Sequence, residues 1–340
     1  MKPLDPLDLT RRLVNIESLT YNEGAVGEYL DWFLRERGFV VERMAVPQPA
    51  QSRFSGARFN VYAGTGERPD VVLSTHMDTV PPFIPSSEDD DFLYGRGACD
   101  AKGIIAAQVA AVERLREAGV ATGLLLVVGE ERDSAGARVA NQHAKGSRFL
   151  INGEPTDNRL ALASKGTLRA EIRARGAMAH SAYPELGDNA VHKLIAALHR
   201  LLAIDLPFVE GIGPSTLNIG LIEGGRAPNV IPDLAVAQVM VRLVGPSEET
   251  REAIRLAVGD LAEVEFTLEI PFIRMRQVEG LETMVAAFTT DIPALTNWGE
   301  PLLMGPGSIH VAHTPFEKIA KSELLKAVDL YYEVGKRLAG

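Results

Sequence analysis

The chain has 340 residues, enough for two domains, and its 46% hydrophobic and 24% charged content is ordinary for a globular protein. A formal net charge of −10 argues against a nucleic-acid or anionic-membrane partner, and no apolar run approaches the roughly 20 residues of a membrane helix. The acidic N-terminus lacks signal-peptide character and the lone cysteine, Cys99, excludes an internal disulfide framework, so a cytoplasmic protein is expected.

Apolar residues at helical spacing predict helices over Asp5–Ile16 and Gly24–Arg37, the latter stopped by Gly38. Strands are expected at Val40–Val46, Phe59–Ala63 and Val71–Thr75, then a helix from Ile104 to Ala118 closed by Gly119. Leu124–Val128 is wholly apolar, as a strand covered on both faces is. A short helix (Ser134–His143) and a strand (Phe149–Asn152) follow. This alternation predicts an α/β fold: a mostly parallel mixed sheet with helices on both faces.

After about Leu162 the pattern changes. Thr167–Arg175 alternates polar and apolar, Asn189–Ala203 is an amphipathic helix, and Thr216–Glu223 and Leu234–Leu243 read as strands. A helix over Ser247–Val258, with Ser247 as a plausible N-cap, and a strand over Glu263–Ile270 complete a β-α-β-β-α-β order, the ferredoxin-like unit. Residues 165–271 are therefore expected to form a domain inserted into a larger one built from 1–164 and 272–340. Thr283–Phe288 is expected to be helical, Gly305-Pro-Gly-Ser308 a tight turn, and Ser322–Leu338 a closing helix.

The chemistry-bearing residues stand where these strands end. His76 closes one strand, Glu130 and Glu131 follow the next, Glu154 follows a third, Asp100 precedes a helix and His313 follows the glycine turn. Open α/β sheets place their sites at such positions. Two imidazoles with three or four carboxylates suit zinc, and a shared carboxylate suits two neighbouring ions. The plainer alternatives are strand-end histidines, a solvated Glu130-Glu131 pair and an N-capping Asp100.

These residues lie in stretches that resemble the M20 metallopeptidases and deacylases: Ser74-Thr-His-Met-Asp-Thr-Val-Pro81, Tyr94-Gly-Arg-Gly-Ala-Cys-Asp-Ala-Lys-Gly103, Gly129-Glu-Glu131, Asn152-Gly-Glu-Pro-Thr156, Gly176-Ala-Met-Ala-His-Ser-Ala-Tyr-Pro184, Asn229-Val-Ile-Pro-Asp233 and Gly305-Pro-Gly-Ser-Ile-His-Val-Ala-His313. They occur in the family's order and span nearly the whole chain. The resemblance implies a zinc-peptidase-like catalytic domain with an inserted lid and dimerisation domain, hence a homodimer. It implies that Asp100 bridges two Zn2+ ions (Co2+ or Mn2+ being possible substitutes). His76 and Glu154 complete one site, and Glu131 and His313 the other. Asp78 then orients His76 from behind, and Glu130 is the general base acting on a bridging water. His180 is the implied oxyanion donor, usually reaching the site from the other subunit.

His310 competes with His313, but the resemblance, through the family's spacing from the glycine turn with Ala before the ligand, implies His313; His143, His192 and His199 lie on or beside predicted helices. Cys99 has no activating histidine beside it. By the same resemblance, Arg242 is the candidate holder of a substrate carboxylate (a surface salt-bridge partner otherwise), Asn218 a candidate lid contact (a strand-edge hydrogen bond otherwise), and Gly305 a candidate backbone donor to that carboxylate. Ala101 stands where several relatives carry a second acid, and the peptide before it is often cis in the family. The C-terminal pattern resembles the acetylornithine deacetylase and succinyl-diaminopimelate desuccinylase group. The expected substrate is therefore an N-acyl amino acid, N-acetylornithine first. A dipeptidase or carboxypeptidase with the same site is the alternative, and a catalytically silent metal- or peptide-binding relative is a third. A dinucleotide-binding reading of Gly95-Arg-Gly-Ala-Cys-Asp100 lacks the third glycine of that fingerprint.

Overall fold

The computed structural model describes residues 3–65 and 68–340. Its contacts cluster into two units, one comprising Met1–Leu162, Met275–Met284 and Thr290–Gly340, the other Ala163–Arg274 and Val285–Thr289. The second unit thus extends beyond the expected 165–271 at both ends and recovers a short returning segment. Strand pairing is the reason. Ile273 pairs with Ser164, the Lys165 N–H donates to the Ala286 carbonyl at 2.8 Å, and Ser164 Oγ donates to the Phe288 carbonyl at 2.7 Å. Thr283–Ala286 is correspondingly a strand, not the expected helix. A segment this short cannot repay helix nucleation, whereas β-branched Thr283 and Val285 suit an extended backbone.

In the first unit a six-stranded sheet runs in the order Val40–Val46, Arg58–Gly64, Thr122–Val127, Val71–His76, Phe149–Asn152, Glu300–Leu303. The last four strands are mutually parallel and the first two pair antiparallel. Side chains alternate between two cores. Leu73, Leu124, Leu126 and Ile151 face one, and Val72, Leu125, Val127 and Leu150 the other. Both faces are covered, which is why Val71–Leu73, Leu124–Val127 and Phe149–Ile151 are apolar at successive positions. Helix Lys102–Glu117 lies in the larger core and is buried almost all round, flanked by Pro6–Val14 and Lys321–Ala339. Ala135–Asn141, Leu295 and the fully buried Trp298 cover the opposite face.

The second unit is a four-stranded antiparallel sheet in the order Thr216–Gly224, Leu234–Leu243, Gly166–Arg175, Glu263–Ile270. Helices Ala190–Leu201 and Glu248–Val258 pack on one face through Leu194, Leu198, Ile254 and Val258 against Leu168, Ile172 and Val239. Connectivity and strand order are those of the ferredoxin-like unit. Ser247 occupies the N-cap position, but its hydroxyl accepts from Arg251 Nε at 3.1 Å and makes no backbone cap.

Candidate metal centre

Because four strands of the first sheet are parallel, their C-terminal ends share one edge, and the ligand-type side chains gather there. His76 ends the central strand, Gly129–Glu131 follow its neighbour on one side, and Glu154 follows its neighbour on the other. Asp100 lies just before the central helix, whose N-cap position is taken by Ala101, so Asp100 is not a capping residue. The Asp100–Ala101 peptide is cis.

Asp100 joins two groups of donors. Its Oδ1 lies 2.9 Å from His76 Nε2, and its Oδ2 lies 3.3 Å from His313 Nε2. His313 Nε2 is also 2.9 Å from Glu131 Oε2. Potential donor atoms of His76, Asp100 and Glu154 lie within 4.8 Å of one another, as do those of Asp100, Glu131 and His313. His313 adopts φ +62° and meets both Asp100 and Glu131, while His310 is exposed and belongs to neither group. His143, His192 and His199 are likewise exposed.

The electrostatics of these groups call for cations. Burial, then the charge of Glu154, pushes the Glu130 carboxyl well above its ordinary range. Burial does the same to Glu154, and raises Glu131 against the pull of His313. Burial opposes ionisation of Asp100, but its contacts with His313 and His76 hold it ionised. Hydrogen bonding to Asp100 and Glu131 lifts His313 to about 10. For His76, burial pulls downward, yet Asp100 and Asp78 outweigh it and hold the imidazole well above its ordinary value. Glu154 is buried with Oε1 lacking any hydrogen-bond partner among the described residues. An orphaned carboxylate oxygen beside a histidine and a second carboxylate is a ligand set in want of its ion, and these residues fit a pair of divalent metals.

The surrounding shell differs from expectation in one respect. His76 Nδ1 is oriented by the main-chain carbonyl of Asp78 at 2.9 Å, not mainly by its carboxylate, whose Oδ1 is 3.6 Å away. That carboxylate instead gathers the next loop. Oδ1 accepts the N–H groups of Gly129 and Glu130 at 2.9 and 3.1 Å, and Oδ2 accepts Glu131 N–H at 3.2 Å and Thr20 Oγ1 at 2.9 Å. Although burial opposes it, contacts with His76 and Thr20 and the turn's N–H hold Asp78 below its ordinary range. One side chain therefore sets both a histidine and the Glu130-Glu131 turn.

A brace not anticipated from sequence is Glu317. Its buried Oε1 accepts from the backbone N–H groups of Gly97, Cys99 and Asp100 at 2.9, 3.2 and 3.1 Å, and Oε2 pairs with Arg96. Its only sequence signal is its place four residues after His313. Asp291, fully buried and acidic near Glu130 and Glu154, was also missed; burial pushes it up to about 6. Cys99 is buried, and burial followed by the charge of Asp100 keeps its thiol protonated. The Gly305 N–H, expected at the substrate, is already donated to Thr156 Oγ1 at 2.9 Å, which removes it from that role.

In the second unit, His180 is exposed on the short strand Ala179–His180, and its Nδ1 accepts from Ala182 N–H at 3.1 Å. Asn218 is exposed on the edge strand Thr216–Gly224. Arg242 is half-buried, donates to Thr167 Oγ1 at 2.8 Å and has no acidic partner among the described residues.

A model of the peptidase dimerisation domain matches residues 162–268. A peptidase M20 domain-containing protein of Schizosaccharomyces pombe is 39% identical over an alignment that takes in 96% of this chain and 82% of the relative. The chain belongs to the M20 peptidase family. A probable carboxypeptidase of Paracoccidioides brasiliensis is also 39% identical, over 96% of this chain and 83% of its own. Among solved structures, the aminopeptidase PepT from Bacillus cereus shares the fold, with a TM-score of 0.81 at 21% identity over 98% of both chains. As an M20 member the chain is a metal-dependent hydrolase. The relatives are named as peptidases and carboxypeptidases, and none of these findings singles out the acetylornithine deacetylase branch.

Proposed function

We propose that this M20 enzyme is a di-zinc metallopeptidase that removes C-terminal residues from short peptides. The observation that carries the reading is Asp100, whose two oxygens face two different histidines, each backed by a further carboxylate. Mixed imidazole and carboxylate donors suit zinc, with cobalt or manganese as substitutes. His76, Asp100 and Glu154 would hold one ion, and Asp100, Glu131 and His313 the other. When bound, the pair supplies Lewis acidity toward the scissile carbonyl and acidifies the attacking water.

The chain's own residues do the rest. Glu130, half-buried on a backbone pinned by Asp78, accepts the water's proton and delivers it to the leaving amine. His180 is the donor to the developing oxyanion, reaching it from the other subunit of a homodimer. With Nδ1 occupied by the Ala182 N–H, the neutral ring carries its proton on Nε2, which makes that nitrogen a donor. Arg242, a cation without an acidic partner among the described residues, holds the C-terminal carboxylate with its forked donors.

The names of the relatives favour peptides over N-acyl amino acids such as N-acetylornithine, the same bond chemistry with a different acyl portion. The test is a panel of dipeptides, tripeptides, their C-terminal amides, N-acetylornithine and N-succinyl-diaminopimelate, each assayed with and without chelator. Chelator-sensitive cleavage of free-carboxylate peptides alone is expected. Turnover of N-acyl amino acids alone would overturn the peptidase reading in favour of a deacylase. Arg242→Met is expected to raise KM for free-acid peptides by about tenfold or more, the worth of one charged hydrogen bond.

A further inference from the structure

Behind the Gly129–Glu131 turn lies an ion pair that the hydrolytic chemistry does not require. Arg58 Nη2 donates to Glu23 Oε1 at 2.9 Å, and neither side chain is exposed. Taking two charges out of water costs several kcal/mol per ion, and an apolar pair of similar volume is often equally stable or more so. Here the cost is greater still. Arg58 Nε and Nη1 and Glu23 Oε2 have no hydrogen-bond partner among the described residues. Burial, with Asp78 adding its repulsion, pushes the Glu23 carboxyl up to about 7 even beside Arg58. Stability alone gives no account of such a pair.

Its position does. Gly129 adopts φ +84°, and a Cβ built there would lie 2.5 Å from Arg58 Nη2 and 2.9 Å from Asp133 Oδ1. The guanidinium is therefore pressed against the first residue of the turn. Its Cζ sits 5.0 Å over the Tyr21 ring, and Tyr21 hydroxyl donates to Asp133 Oδ2 at 3.3 Å, so Tyr21 ties Arg58 to the turn's far end. Two residues along the same strand and on the same face, Asn60 accepts Val128 N–H at 3.2 Å and donates to the Gly136 carbonyl at 2.8 Å. Arg58 and Asn60 thus brace residues 128–136 through contacts separate from those of Asp78.

We propose that Arg58, locked by Glu23, is a positioning residue for Glu130 and Glu131, a rigid cationic plate that fixes Gly129 and with it the aim of the two carboxylates that follow. The inference rests on the metallopeptidase reading for its consequence in turnover, but its structural part is independent of metal.

The experiment compares Arg58→Met, Arg58→Lys and the double apolar replacement Glu23→Leu/Arg58→Met in the full chain. Four quantities are read: melting temperature, amide hydrogen exchange at Gly129–Glu131 in the metal-free protein, stepwise Co2+ binding followed by visible absorption, and kcat and KM on a cleaved peptide. Arg58→Met should lower the melting temperature, because it strands Glu23. The double replacement should recover it. If Arg58 positions the turn, the double variant nevertheless exchanges the three amides at least about 10-fold faster. It also binds the second Co2+ about 10-fold more weakly, the usual scale for a lost outer partner, and loses kcat while KM holds. Arg58→Lys keeps the charge without the plate and should fall between. A double variant with wild-type exchange, Co2+ affinity and kcat would overturn the proposal and leave the pair a purely structural one. Wild-type protein that binds no Co2+ and cleaves no peptide would defeat the metallopeptidase reading instead, and amide exchange would still decide the role of Arg58.

Discussion

Asp100 meets two imidazoles with one carboxylate, and burial raises the neighbouring carboxyls of Glu130 and Glu154 well above their ordinary range. Glu130 is distinct from the ligand groups in belonging to neither cluster while sharing their turn. Glu130→Gln should therefore keep both metal equivalents and lose roughly 10²–10⁴ in kcat, the usual worth of a general base; metal analysis beside steady-state kinetics checks this, and an active variant with full metal would remove Glu130 from that role. A second residue sets a pH dependence of stability. Lys102 is buried, donates to the Ile16 carbonyl, and has its ammonium pulled down to about 7 by burial from an ordinary 10.5. Between those values the unfolded chain binds the extra proton, so stability rises with pH from about 7 to 10.5. The cost of the buried charge is complete below pH 7 and gone above 10.5. Lys102→Met should stabilise the protein at pH 7 by on the order of 3 kcal/mol. The gain should vanish near pH 10.5, as read from denaturant melts across that range; a pH-independent gain would mean the ammonium is not the source.

At the scale of elements, the site is made by loops that other elements hold from behind. Asp78 collects the Gly129–Glu131 turn, and Glu317 collects Gly97, Cys99 and Asp100. Both use a carboxylate to satisfy adjacent backbone N–H groups that would otherwise be buried without partners. Glu317→Ala leaves those donors unpaired together with Arg96, so it should cost at least about 3 kcal/mol and weaken metal affinity 10–100-fold. Glu317→Gln keeps an acceptor for the backbone and loses only the charge toward Arg96. It should retain most metal affinity at lower stability. Calorimetric titration of both variants separates the two effects, and equal loss in both would place the ion pair, not the backbone cradle, in control.

For the whole molecule, no helix among the described residues is long and apolar enough to cross a membrane, and the surface feature that stands out is one sheet edge of the second unit. The two outer strands there differ. Glu263–Ile270 carries Glu263, Glu265 and Glu269, which discourage pairing with another chain. Thr216–Gly224 instead exposes Leu221 at 55% and Ile222 at 62%. Glu223 is the sole charge on this strand, and we propose that it is the edge on which a second copy would add its strand, in keeping with the dimerisation-domain match over this region. Replacing Leu221 and Ile222 together by Glu should halve the mass seen by sedimentation, and an unchanged mass would place the contact elsewhere.

Most strands and helices were legible because each rests on local pattern, whereas Glu300–Leu303, an edge strand of the main sheet, was not expected. Apolar stretches at Val71–Leu73 and Leu124–Val128 mark strands covered on both faces, and His76, Glu130, Glu131 and Glu154 lie at or just past the ends of such strands. Thr283–Ala286 was misread because four residues carry no periodicity, and its state is settled by the strand it pairs with. Glu317, Asp291 and the Glu23–Arg58 pair were invisible for a related reason. A buried carboxylate looks like any surface acid until its surroundings are known, and its partners lie as far off in sequence as Gly97 is from Glu317. The chain's own pattern determined which side chains line the edge of the sheet. Only the tertiary structure decided what holds them there: that Asp78 reaches across to the turn after the next strand, that the Gly305 N–H is spent on Thr156, and that Arg58 stands under Gly129. Long-range hydrogen bonds and buried charges depend on which loops the sheet order brings side by side, and strand order is not written in local periodicity.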